Sequence, residues 1–175
     1  MYALDLLEQA HQTALRSVEG LPVLGWHIPG VYGGWSVKDI FAHFIACEYV
    51  LLDIMASVMG SDHPPALDRW LRNRDTFYAV EIARRRQKMA EEVVREYKEA
   101  HAETVSQLIR IPDDYLRKNG MLPWYDRDAD LEQFITYTFY HNKQDLCERI
   151  AAFRDQMLHV LSKEHMRRPD GGLAL

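Results

Sequence analysis

The sequence predicts an all-α fold, a four-helix bundle with a short extra helix. Three observations carry that expectation. Four long stretches place apolar residues at helical spacing. Segments punctuated by glycine and proline separate them. No stretch alternates apolar and polar residues as a half-buried strand does. A length of 175 residues suits one sizeable core, and 47% hydrophobic residues argue against disorder. Residues 1–165 are therefore read as one domain and 166–175 as a flexible C-terminal tail.

The first helix is expected from about Tyr2 to Val18, with Leu6, Leu7, Ala10 and Ala14 on one face. Gly20 and Pro22 end it. A glycine- and proline-rich connector follows to Gly34, with Trp26 placed to finish the core. The second helix has the clearest start. Ser36 is a favourable N-cap, Asp39 sits where its carboxylate reaches back in a capping box, and Trp35 and Ile40 have hydrophobic-staple spacing. This helix runs from Val37 to about Met59, and its apolar stripe of Ile40, Phe44, Cys47 and Ile54 includes His43.

After a break at Ser61–Pro65, Ala66 to Arg74 forms the short extra helix. The next long helix is expected from Val80 to Arg110 without interruption. Its run Arg84–Lys88 stands among glutamates and is read as a solvated helix face. A loop from Ile111 to Asp128 contains the apolar segment Met121–Tyr125. The last helix starts at the N-cap Asp130 and reaches about Ser162. Two rows are visible on it: Phe134, Thr138, His141 and Asp145, and beside it Leu131, Ile135, Phe139, Leu146 and Ile150.

Composition excludes several classes. A net charge of −5 gives no basic footprint for nucleic acid. Two cysteines make no disulfide framework. No apolar run approaches the roughly 18 residues of a membrane span, and the first residues lack the pattern of a signal peptide. The expectation is a cytoplasmic protein with neither nucleic acid nor membrane as partner. Glycine-rich phosphate loops, CxxC pairs and serine-elbow motifs are absent from the sequence.

What remains is a constellation of side chains. His141 and Asp145 are four apart and share one helix face, and His43 occupies the apolar stripe of another helix. Two histidines and a carboxylate facing inward can hold a divalent metal with open positions. His43, His141 and Asp145 are therefore the candidate metal ligands, with His141 or Asp145 also a candidate general base. The competing readings are a satisfied core histidine at 43 and a surface pair at 141 and 145. Cys47 and Tyr97 are read as core, and His11, His63, His101, His159 and His165 as surface.

The segment Gly34-Trp-Ser-Val-Lys-Asp-Ile-Phe-Ala-His43-Phe, with Tyr140-His-Asn-Lys-Gln-Asp145-Leu, resembles the DinB/YfiT-like four-helix-bundle superfamily. The stretch from Trp70 to Glu103 and the Pro123–Tyr125 segment are similar to its ClbS/DfsB-like branch. The resemblance implies an up-up-down-down bundle, often a homodimer. It implies a small-molecule substrate and, in many members, nickel or zinc on three histidines. Some members instead lack the metal. His43 and His141 match two of the three positions, and Asp145 stands where the third histidine would be. The function implied is a metal-dependent enzyme acting on a small electrophile, by thiol-dependent transfer or isomerisation with a low-molecular-weight thiol, or by hydrolysis. The alternative is a metal-free protective protein or a non-catalytic small-molecule-binding bundle.

Overall fold

The computed structural model describes residues 2–61 and 65–167, with side chains through 164. Most of the tail expected beyond 165, and His63, lie outside the described residues; the side chain of His165 does too. Four long helices form the bundle: α1 (Tyr2–Ser17), α2 (Val37–Val58), α5 (Ala90–Arg110) and α8 (His141–Arg167). Two shorter ones, α3 (Pro65–Arg72) and α4 (Arg74–Ala83), lie against α2. A single turn, α6 (Asp113–Leu116), precedes α7 (Leu131–Phe134), which a π-helical segment (Ile135–Tyr140) joins to α8. Helix α2 packs along α5 and α1 along α8, while α1–α5 and α2–α8 contacts close the ring. Among the described residues there is no strand, only an isolated bridge between Tyr32 and Trp35. The all-α bundle expected from the sequence is the fold the chain adopts.

Helix α2 is its axis. Against the expectation that no segment reaches the length and hydropathy of a membrane span, it is the one described helix long and apolar enough to cross a membrane, and 67% of that apolar window is instead buried against the bundle. Its start forms as the local sequence dictates. Asp39 N–H donates to Ser36 Oγ at 3.2 Å, and Ser36 N–H donates to Asp39 Oδ2 at 3.0 Å. Trp35 and Ile40 enter the same apolar cluster, as a staple requires. Ser36→Ala should cost about 1 kcal/mol, read as a fall in Tm; an unchanged Tm would mean that packing alone sets this helix start. Asp130 builds a second capping box, accepting from Gln133 N–H at 2.7 Å.

Two expectations about the middle of the chain are corrected. The helix expected from Val80 to Arg110 is two helices, α4 and α5, and the Arg84–Lys88 run is the turn between them. Tertiary partners hold that turn. Arg85 is buried, binds Glu81 at 3.1 Å and reaches Glu96 across the turn at 2.6 Å. The buried Lys38 of α2 donates to the carbonyls of Arg86 and Lys88 at 2.8 and 3.0 Å. A basic run that reads locally as solvated surface is thus a satisfied corner of the bundle. His11 and His101, expected at the surface, are buried and stacked on each other at 3.9 Å between ring centroids.

Along α2 the apolar core divides into two clusters. Residues from Val37 to Ile45 pack with α5 and α8, and residues from Ala46 to Val58 pack with α3, α4 and α7. His43, Cys47 and Glu48 fall where the two meet, and that junction carries the polar chemistry of the molecule.

Candidate functional site

A cleft of about 180 Å³ opens at this junction. Phe44, Trp70, Tyr78 and Phe139 form aromatic walls, and His43, Cys47, Arg74, Thr138, Asn142 and Lys143 supply the polar groups. His43 comes from α2, where its ring packs against Tyr78 at 4.3 Å and Trp35 at 5.1 Å. Its Nε2 lies 3.5 Å from Cys47 Sγ, one helical turn on. Its Nδ1 is buried and has no hydrogen-bond partner among the described residues. Burial pushes the imidazole down from 6.5 to about 4, with Asn142 pulling the other way and Lys143 adding to the fall. At neutral pH His43 is therefore uncharged. Burial likewise pushes the Cys47 thiol up to about 12, so it too is neutral, and the pair is not a thiolate–imidazolium. The Tyr78 hydroxyl accepts from Trp70 Nε1 at 2.8 Å and lies 3.8 Å from the thiol, which ties the aromatic wall to the polar floor.

Behind the cleft lies a charge pair the sequence reading passed over. Glu48 of α2 is fully buried and Lys143 of α8 is 3% exposed, and Lys143 Nζ meets Glu48 Oε1 at 2.7 Å. Lys143 also donates to Tyr97 OH at 3.3 Å. Burial opposes both charges, but each is the other's counter-ion: the ammonium holds the Glu48 carboxyl below its ordinary range, and the carboxylate holds Lys143 above its own. His101 Nδ1 stands 3.5 Å from the same Glu48 oxygen, at ion-pair distance without hydrogen-bond geometry. The sequence did contain a signal. Lys143 sits one turn past Phe139 and one turn before Leu146 and Cys147 on an otherwise apolar row, and Glu48 sits one turn from Ile45, Leu51 and Leu52 in a mostly apolar helix. A charge so placed needs a partner of opposite sign.

The expected metal triad does not assemble. His43 is buried in the cleft, whereas His141 and Asp145 are exposed and do not line it. Among the described residues no group of three His, Cys, Asp or Glu side chains is arranged to hold a metal ion. The reason is the π-helical segment. His141 N–H reaches Thr136 O, five residues back rather than four, so one extra residue is absorbed in the turn. Of the inward row expected at Phe134, Thr138, His141 and Asp145, Phe134 is buried and Thr138 lines the cleft, but beyond them the row moves on by one position. Phe134 and Phe139 are buried, Asn142 lines the cleft and Leu146 is buried, while His141 and Asp145 rotate toward solvent. Beside His43 the cleft offers one thiol, an amide, a hydroxyl and two cations, and the two metal-ligating side chains, His43 and Cys47, are too few for nickel or zinc.

Fold and site together define an all-α bundle that carries a small aromatic cleft and a buried ion pair at mid-height. The family model of the DinB superfamily matches residues 6–146, and the chain belongs to that superfamily. No curated protein and no solved structure matched it.

Proposed function

We propose that this DinB-superfamily protein is a metal-independent, small-molecule-binding bundle whose ligand occupies the cleft beside His43. One observation carries the proposal: a buried imidazole, its Nδ1 without a hydrogen-bond partner among the described residues, stands in a cavity that combines aromatic walls with polar side chains. That combination is how small-molecule sites are built, with apolar surface for affinity and a few placed donors and acceptors for orientation. The volume is below the roughly 300 Å³ at which drug-sized pockets begin, so the ligand is a compact metabolite-like molecule. Binding is favoured over turnover by the chemistry of His43. It is neutral at pH 7 and can accept a hydrogen bond, but a base held near 4 has little drive to take a full proton there. Were the site to support turnover, a small electrophile attacked by water is the reaction class that a cleft of about 180 Å³ admits. A cytoplasmic location belongs to the same proposal.

The test is a screen of small electrophiles and their unreactive analogues against wild type and His43→Phe, which fills the cleft without adding charge. Ligands should shift the Tm of wild type and lose that effect in the variant; hits that stabilise both proteins equally place the site elsewhere. Untagged protein is expected to contain no stoichiometric nickel or zinc that depends on His43. Metal bound one-to-one in wild type and lost in His43→Ala would restore the metal-centred alternative.

A further inference from the structure

Taking the cleft as the ligand site, as proposed above, its charge balance says more about what it binds. Two of its lining residues are cationic and none is acidic. The inner cation, Lys143, is neutralised by Glu48 at 2.7 Å. Two of its three N–H donors go to Glu48 and Tyr97, and the third has no acceptor among the described residues. The outer cation, Arg74, is exposed and has no carboxylate at ion-pair distance among the described residues. It is nevertheless held: its guanidinium lies over the Trp70 ring at 4.0 Å, and Trp70 is fixed by its bond to Tyr78 OH and by edge contact with Trp124 at 5.7 Å. A stacked guanidinium satisfies its face and leaves the N–H edge free for a planar, bidentate acceptor. Among the described residues the cleft therefore has one lining cation without a carboxylate partner, its guanidinium set over the Trp70 ring.

We propose that the ligand is a small planar apolar molecule carrying one carboxylate, and that Arg74 is the specificity-determining residue that pairs with it. The apolar body lies against Trp70, Tyr78 and Phe139, and Asn142 or the free N–H of Lys143 serves a second polar atom. A single negative charge matches the one lining cation that has no carboxylate partner among the described residues.

The experiment uses benzoate and its neutral isostere benzamide as probes, followed through the indole N–H signal of Trp70 in ¹⁵N-labelled protein, with that signal assigned by Trp70→Phe. A charge-assisted pair should make benzoate bind roughly ten-fold more tightly than benzamide. In Arg74→Gln the preference should vanish while benzamide binds as before. If benzamide matches benzoate in wild type, or the preference survives in Arg74→Gln, the inference is overturned and the cleft still stands as a binding site. If neither probe moves the Trp70 signal, both the inference and the reading beneath it fall. Arg74 is exposed, so the variant is expected to fold, and an unchanged far-UV spectrum and Tm check this.

Discussion

Lys143→Met is expected to destabilise the protein by about 3–5 kcal/mol, because it leaves the fully buried Glu48 carboxylate without its counter-ion. Urea denaturation gives the number. The large effect belongs to breaking the pair, and not to the pair as such. Two charges taken out of water nearly cancel their own attraction in desolvation, so the double variant Glu48→Leu, Lys143→Met should recover most of the loss. The two side chains lie 95 residues apart on α2 and α8, and the pair therefore locks those helices at one register. A single-variant loss under about 1 kcal/mol, as for a surface pair, would mean that water reaches Glu48 and that the pair does not set the register.

Acid should destabilise the fold well above the pH at which carboxylates protonate. His43 has an ordinary value of 6.5 and is held at about 4 by burial. Between those two values the unfolded chain takes up a proton that the folded chain refuses. Stability is therefore full above 6.5 and declines as pH falls toward 4, and the gap is worth up to about 3 kcal/mol for this one group. His11 adds in the same direction, since burial and the neighbouring His101 lower it to about 4 as well. Below 4.5 the sign is the same for a different reason: Glu48 is held low by Lys143, so protonating it removes the ion pair. His43→Gln, which has no proton to take up, should flatten the first part of the fall in a plot of Tm against pH. A variant curve parallel to wild type from pH 6.5 to 4 would show that His43 is not held neutral.

The capped start of α2 was legible because capping is local. Ser36, Asp39, Trp35 and Ile40 lie within six residues, and their partners are one another. Asp130 was legible for the same reason. Tyr97 reads as core from its stripe and is core, although its hydroxyl also bonds Lys143. The Arg84–Lys88 turn was not legible, since the carboxylate of Glu96 and the ammonium of Lys38 that hold it are tertiary partners. Nor was the role of Cys47, which reads as a small core residue and lines the cleft beside His43.

The bundle follows from local sequence: the helical periodicity of four apolar stretches, the caps that start two of them, and the glycine and proline breaks between. Local sequence also puts His43 on the inward face, because an α-helix with a fixed start has a fixed phase. What His43 meets depends on how a distant helix is phased against it. A phase carried along α geometry holds until a turn absorbs an extra residue, and the π-helical segment at Ile135–Tyr140 does so immediately before the second half of the expected site. One inserted residue turns everything beyond it by roughly 100°. Asn142 and Lys143 therefore reach the cleft, and His141 and Asp145 face solvent.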